Sequence, residues 1–600
     1  MLKNCFRIAW RHLTKNKGYT FINIAGLSTG MAIAVIIGIW ITDECTYDNY
    51  HKNHGRIAVG MVKQTANDGR SYAGATVTVP LGDALRTQYS GLFVKTALAH
   101  GGWGHLVASG EKKIQVDALW AQPEITDIFT FEMTKGAASS YRDPSTALIT
   151  ESLAKSLFGD GNPIGQPLKI NNKIELKVGG VYKDQPENTS FGHIKILLPY
   201  NNNDNSYYLK NTNWSDHNGQ LYLLMGNNTT TEQANPLIKN LPTPHIEGWH
   251  EEAFVYPLDR SHLYNEFPNG LPSGGRIQFV WLFGIIGVFI LLLACINFMN
   301  LSTARSEKRA REVGIRKTVG SLKKQLVLQF LIESVLVATI AFVFALAIVS
   351  MSLPLFNQLA AKTMALPYNK GLFWALTAVF VLFTGILAGS YPAFYLSGFN
   401  PVRVLKGTFK AGRFASLPRK VLVVLQFTVS LTLIIGTIIV YRQIDYARDR
   451  PVGYSRDGLV GVWLNTPELT KNYEIIRQEL IQKGIAANVT ASSQSVLGFN
   501  NNNSLYWRGK RPEEESIFFC NVNVTPDFGR TIGWKVLQGR DFSREFATDT
   551  SSMILNDTAA KIIGIKNPIG ETMKFFGKNY KVIGVVNNLV TNSPYEPVPP

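Results

Sequence analysis

The chain has 600 residues, of which 46% are hydrophobic and 17% charged, and it carries a net charge of +17. This length exceeds what one compact core can bury and predicts three or more structural units. Four cysteines (Cys5, Cys45, Cys295, Cys520) are too few and too scattered for a disulfide framework or a paired-cysteine zinc site, and the apolar residues gather in charge-free runs that argue against a soluble enzyme.

In chain order, residues 1–20 carry Lys3, Arg7, Arg11, Lys15 and Lys17 and no acid. Leu2, Phe6, Trp10 and Leu13 interleave with these charges, which fits either an amphipathic helix on the inner leaflet or an ordinary basic flank. A helix needs about 20 apolar residues to cross the hydrocarbon core. The first such run is 21–41. It is longer than a signal-peptide core and no small-residue cleavage site follows it, so an uncleaved anchor is expected. Gly26 and Gly30 have the spacing of a helix-packing face. With Ser28 they also match a G-x-S-x-G nucleophile motif, but the match lies in an apolar run and no histidine falls in any span to act as base.

A long polar region, 42–276, follows. Within it His245 and His250 are five apart and preceded by Pro242 and Pro244, which predicts a solvated loop and not a zinc helix. Four more apolar runs lie at 277–297, 326–355, 371–391 and 421–441, and a second polar region covers 442–600. Glu333 is the only acid in a span and sits near the basic end of the third.

The three segments 1–20, 298–325 and 394–420 together hold 19 basic and 2 acidic side chains, which is the whole surplus of 17. Each abuts an apolar run, the signature of cytoplasmic loops, and a nucleic-acid partner is correspondingly not expected. Threading the spans through this rule places the N-terminus in the cytoplasm and 42–276, 356–370 and 442–600 on the far side.

Two stretches of the far-side regions repeat each other. Asn162-Pro163-Ile164-Gly165 aligns with Asn567-Pro568-Ile569-Gly570 at an offset of 405, and Val178–Val181 aligns with Val582–Val585 at 404. Each unit is predicted to hold a helix, a turn at Asn-Pro-Ile-Gly and two short strands. Pro presets the turn and Gly supplies a permissive φ, so these residues are connectors. The repeat consists of one span, a large far-side domain and three spans, so the two copies run parallel. A complete second copy would end near residue 800, and the chain is therefore expected to be a truncated form of an eight-span protein.

At this point residues 297–334, NFMNLSTARSEKRAREVGIRKTVGSLKKQLVLQFLIES, resemble the signature between the second and third spans of FtsX/MacB-like ABC transporter permeases. The basic start at 7–30, YDNYHKNHGRI at 47–57 and PENTSF at 186–191 are similar to that family too. The resemblance implies an α-helical membrane bundle, five spans here, with two α+β MacB-like periplasmic core domains (42–276 and, incomplete, 442–600) in a bacterial inner membrane. It also implies a permease subunit driven by a separate ABC-type ATPase for export or efflux, or alternatively an FtsX-like regulator of an envelope hydrolase or signalling partner. Expected partners are that ATPase, membrane lipid, a second permease repeat in a dimer or pseudo-dimer, and a periplasmic adaptor.

No phosphate-binding G-x-x-x-x-G-K-[ST] occurs; Gly314 and Gly320 are wrongly spaced and Ser321 stands where Lys is needed. No catalytic residue, cofactor or metal is therefore expected. By the resemblance, the ATPase-coupling residues are Arg305, Arg309, Glu312, Val313, Gly314, Ile315, Arg316 and Lys317. The spans carry almost no ionisable groups, which argues against a polar conduit through this subunit and for transmission of motion.

Overall fold

The computed structural model describes residues 10–11, 14–15, 17–65, 69, 71–247, 249–304, 306–398, 417–499, 501–511, 514, 517–591, 593–595 and 597–600. Leu2, Phe6 and Leu13 of the proposed amphipathic start lie outside them, as do Arg305, Arg403, Lys406, Lys410 and Arg413. The chain divides into two compact units, Met1–Thr46 with Gly275–Arg442 and Tyr47–Gly274 with Gln443–Pro600.

The first unit is built from helices long and apolar enough to cross a membrane: Lys17–Cys45, Ile277–Ala304, Lys323–Ala360, Gly371–Ser397 and Leu417–Asp449. Lipid is as apolar as leucine, so such helices associate through close packing of small residues. Leu27, Met31, Leu291, Ala338, Ala341 and Ala388 form the shared core of the first four spans. A Cβ on Gly30 would sit 2.6 Å from that of Ala294, and one on Gly385 would sit 2.7 Å from the Val335 Cα. Gly26 faces Asn297, and a Cβ there would lie 3.4 Å from the amide nitrogen. The fifth span touches the second through Asn300 Nδ2, which donates to Gln426 Oε1 at 3.3 Å.

The second unit begins with an α+β domain. Its strands are β1 (Ile57–Thr65), β2 (Ser71–Gly74), β3 (Phe93–Ser109), β4 (Lys112–Ala121), β5 (Met133–Gly136) and β6 (Thr146–Thr150). They continue with β7 (Pro167–Ile170), β8 (Ile174–Tyr182), β9 (Ile196–Pro199), β10 (Gln220–Met225) and β11 (His250–Pro257). All join one sheet in the order β11-β1-β10-β3-β4-β9-β6-β8-β5, with β2 added to β1 and β7 bridging β3 and β8. Alternation sets the buried face: Ile174, Leu176 and Val178 of β8 point inward while Glu175 and Lys177 face solvent.

Helices α1 (Val79–Gln88), α2 (Glu151–Phe158) and α3 (Thr231–Ile238) cover the sheet. Each starts at a threonine, Thr78, Thr150 or Thr230, whose hydroxyl accepts from the amide three residues on and so satisfies an otherwise orphan donor. Apolar side chains between helices and sheet form the cores, with Leu153 and Leu157 of α2 packed on Ile149 and Val181.

The expected loop at 245–252 is corrected in part. Thr243–His245 is a short 3₁₀ turn with His245 stacked on Trp214 at 4.3 Å, whereas His250 opens β11. That segment pairs in register with β1 from Thr65↔His250 to Ala58↔Pro257, because β1 presents a full unpaired edge to it. The two family-like pieces at 47–57 and 186–191 meet. Asp48, at φ +62°, accepts the Ser190 amide at 2.6 Å and its hydroxyl at 2.7 Å, and Tyr47 donates its hydroxyl to the Thr189 carbonyl at 3.0 Å. Burial raises the Asp48 carboxyl above the usual range in spite of these bonds.

The second copy contributes β12 (Asn502–Ser504), β13 (Phe518–Cys520), β14 (Val536–Gly539), β15 (Ser552–Asn556), helix α4 (Asp557–Ile563), β16 (Thr572–Phe575) and β17 (Lys578–Val586). Its four-stranded sheet, β14 to β17, repeats the pairing of β5 to β8 in the first copy. β6 runs parallel to β8 with a register shift between Ala147 and Leu148, and β15 runs parallel to β17 with one between Met553 and Ile554. Gly165 donates its amide to the Val178 carbonyl and Gly570 to the Val582 carbonyl, both at 2.8 Å, with φ of +78° and +91°. Asn162 Oδ1 accepts from the Ile164 amide at 3.3 Å, and Pro163 and Pro568 open the two turns.

Candidate coupling site

The basic segment after the second span folds as a helix, Ser306–Thr318. Its end is a glycine cap: Gly320 takes φ +104°, its amide bonds the Lys317 carbonyl at 3.1 Å, and Ser321 bonds the Arg316 carbonyl at 3.0 Å. Glycine is needed there because the left-handed conformation strains any residue with a Cβ. The chain then turns straight into the third span, where Gln325 Oε1 accepts the Leu322 amide at 3.1 Å.

Among the expected coupling residues, Val313 is buried against Leu326 and Phe330 of the third span and Ala393 and Leu396 of the fourth. Gly314 is buried beside it, and Ile315 is exposed. Arg316 donates from Nη2 to Glu312 Oε1 and from Nη1 to Gln329 Oε1 of the third span, both at 2.6 Å. One guanidinium therefore ties the helix to itself and to the bundle. Lys317 is half-buried, and burial followed by repulsion from Lys323 holds its ammonium below the usual lysine range. The side chain of Arg309 lies outside the described residues. Chemically the segment offers a half-exposed, mixed-charge face on an apolar foot, the composition of a protein contact.

Next to it the neighbouring ends of the first four spans share a polar cluster that sequence reasoning missed apart from Glu333. Tyr19 and Ser302 share a hydrogen bond at 2.7 Å. Asn23, Glu333, Ser334 and Pro392 line the same small cavity of about 20 Å³, and Asn23 Oδ1 meets no protein donor. An asparagine and a glutamate within otherwise apolar runs are the signal that points there. At the other end of the bundle Lys362 pairs with Asp43 and, at 2.6 Å, with Glu44, which is 2% exposed. Burial works against the Lys362 charge, but bonds to Asp43 and Glu44 outweigh it and raise its pKa. No sequence pattern announces a pair 318 residues apart. Among the described residues no group of three or more His, Cys, Asp or Glu is placed to hold a metal.

The MacB-like periplasmic core domain family matches residues 20–241 and again 421–595, and the FtsX-like permease C-terminal family matches 284–401. The chain is 26% identical over 275 residues to the macrolide export ATP-binding/permease protein MacB of Bdellovibrio bacteriovorus, covering 43% of this chain and 38% of that protein. It is 24% identical over 262 residues to the ABC transporter permease YknZ of Bacillus subtilis, covering 43% of this chain and 61% of that one. The chain thus spans less than two thirds of the length of these relatives. The crystal structure of the periplasmic region of MacB from Actinobacillus actinomycetemcomitans aligns with a TM-score of 0.26 and 15% identity over 35% of this chain and 92% of that one. Two core-domain matches separated by a permease match reproduce the duplicated order of spans and α+β domains described above, and the chain belongs to the FtsX/MacB-like family of ABC transporter permeases.

Proposed function

We propose that the chain is the membrane subunit of an ABC transporter that passes the work of a separate ATPase to its α+β domains for export. In this reading the N-terminus and the segments 298–325 and 392–420 are cytoplasmic, and the domains 42–276 and 442–600 are periplasmic. The helix Ser306–Thr318 seats in the ATPase and carries its motion into the third and fourth spans. The observation that carries the reading is Arg316, which holds Glu312 on the helix and Gln329 on the third span at once. A push on the helix face then moves a span and does not merely bend a loop. A second permease repeat, within this protein or in a partner copy, would complete the pair of surfaces that two ATPase subunits need, and a periplasmic adaptor would receive the substrate.

The test is Arg316→Ala and Glu312→Ala in the full protein with its ATPase partner. ATPase association should weaken about tenfold or more, the cost of losing a central charged anchor. Transport per ATP hydrolysed should fall while membrane insertion stays normal. Coupling that survives both substitutions sinks the assignment.

A further inference from the structure

The end of the bundle at which the first span runs on into Tyr47 carries the buried ion cluster of Lys362, Asp43 and Glu44, with Lys362 Nζ 2.6 Å from Glu44 Oε1. A built turn delivers the lysine. The helix of the third span is capped by Ala361, which takes the left-handed conformation at φ +49°, and the Lys362 amide bonds the Asn357 carbonyl at 3.0 Å. Asn357 clamps the stretch that follows. Its Nδ2 donates to the Met364 carbonyl at 2.8 Å, and its Oδ1 accepts the Met364 amide at 3.2 Å. A strained alanine persists only where its surroundings over-determine it, and the cap and the clamp do so here.

Charge is a costly way to join two helices, because both ions must leave water. The first and third spans already share an apolar core that includes Leu27, Met31, Ala338 and Ala341, so packing alone would hold them together. What the ion cluster adds is a penalty on separation. Withdrawing Lys362 strands the Glu44 carboxylate, which is 2% exposed, and lowers the population of the separated state by roughly a hundredfold or more. A pair with that penalty works as a bolt and not as a latch that opens in each cycle.

The bolt completes a route. Arg316 ties the helix Ser306–Thr318 to Gln329 in the first two turns of the third span, and Lys362 ties the other end of that span to the first. Thr46 alone separates the first span's helix from Tyr47, whose hydroxyl bonds the Thr189 carbonyl, and Asp48 next to it holds Ser190 by two bonds. The second span is entered instead through Gly274 and Gly275, the latter at φ +117°, a junction with little torsional stiffness. We propose that Lys362 is a positioning residue that makes the first and third spans one rigid body, so that a push on the third span reaches the first α+β domain through the first span and not the second. The delivery of that push rests on the function proposed above; the rigid pairing does not.

The experiment uses the full chain in phospholipid nanodiscs, alone and with its ATPase partner. Spin labels sit on native Cys45 and on Leu359→Cys, both exposed positions, with Cys5, Cys295 and Cys520 changed to serine. Their separation should form one narrow distribution in the chain alone and shift by less than about 2 Å when the complex is trapped with ATP and vanadate. Lys362→Met should broaden the distribution. It should also cut the nucleotide-driven change in hydrogen exchange of the first α+β domain about tenfold, with ATPase association unchanged. Lys362→Arg should restore both readouts, as should the exchange of Lys362→Glu with Glu44→Lys, which keeps the cluster's composition. The wild-type labels and the exchanged pair carry the test where Lys362→Met fails to fold. The proposal is overturned by a larger shift on trapping, by a distribution as narrow in Lys362→Met as in the wild type, or by a first-domain response that survives that substitution. A response that survives Arg316→Ala and Glu312→Ala, or an ATPase that does not associate, would remove the function proposed above, and the label separation in the chain alone would still decide the pairing.

Discussion

In the first copy of the repeat, β6 lies between β8 and β9, and β9 in turn pairs with β4. In the second, β15 has β17 on one side, and the residues at 599–600 run along the other. The Thr150 amide bonds the Lys195 carbonyl at 3.0 Å, and the Lys195 amide bonds the Asp117 carbonyl at 2.9 Å. In the same places Asn556 Nδ2 bonds the Pro599 carbonyl at 2.8 Å, and the Cys520 amide bonds the Pro600 carbonyl at 2.7 Å. Both acceptors are proline carbonyls, and proline has no amide hydrogen to donate in return. The helix, turn and parallel pair recur in both copies because short-range chemistry shapes them. The wide sheet of the first copy also draws on β1, β10 and β11, which lie far apart along the chain.

Three measurements would break or sharpen this correspondence. The largest effect is expected at two glycines. Gly136, at φ +71°, would place a Cβ 2.6 Å from the Gly179 carbonyl oxygen, and Gly539, at φ +74°, would drive one into the Ile583 carbonyl oxygen. Gly136→Val and Gly539→Val should each cost about 3–5 kcal/mol, read as protease sensitivity and earlier thermal unfolding of the substituted domain. A cost in one copy only would end the equivalence.

Next comes acid. Every histidine of the α+β unit lies in the first copy and none between 443 and 600. Burial pushes His51 and His100 down to about 4 from the ordinary 6.5. Above 6.5 neither folded nor unfolded chain binds the proton. As pH falls from 6.5 toward 4 the unfolded chain binds it and the folded chain does not, so stability is lost by up to roughly 3 kcal/mol for each histidine. Hydrogen exchange at pH 7 and pH 4.5 should show the first copy loosening from this cause while the second does not. The smallest effect is at the helix caps. Thr150→Ala and Asn556→Ala should each cost about 1 kcal/mol in thermal unfolding, with Asn556 the larger because it also loses Pro599.

Much of this molecule was legible before folding. Apolar run length revealed the spans, and Asn-Pro-Ile-Gly at an offset of 405 marked the duplication. Part of the helix Ser306–Thr318 was legible too, since Glu312 and Arg316 stand four apart on one face. The histidines at 245 and 250 misled, because a local pattern with two prolines cannot show that β1 waits with an open edge. Gln329 as the second partner of Arg316, Ser190 on Asp48, Lys362 on Asp43 and Glu44, and Asn205 on His100 were all beyond sequence. Periodicity, length and charge are properties of short segments and are fixed by the order of residues. Which distant side chain completes a hydrogen bond, and which acceptor is left without one, is settled only when the chain packs and water is driven from between its parts.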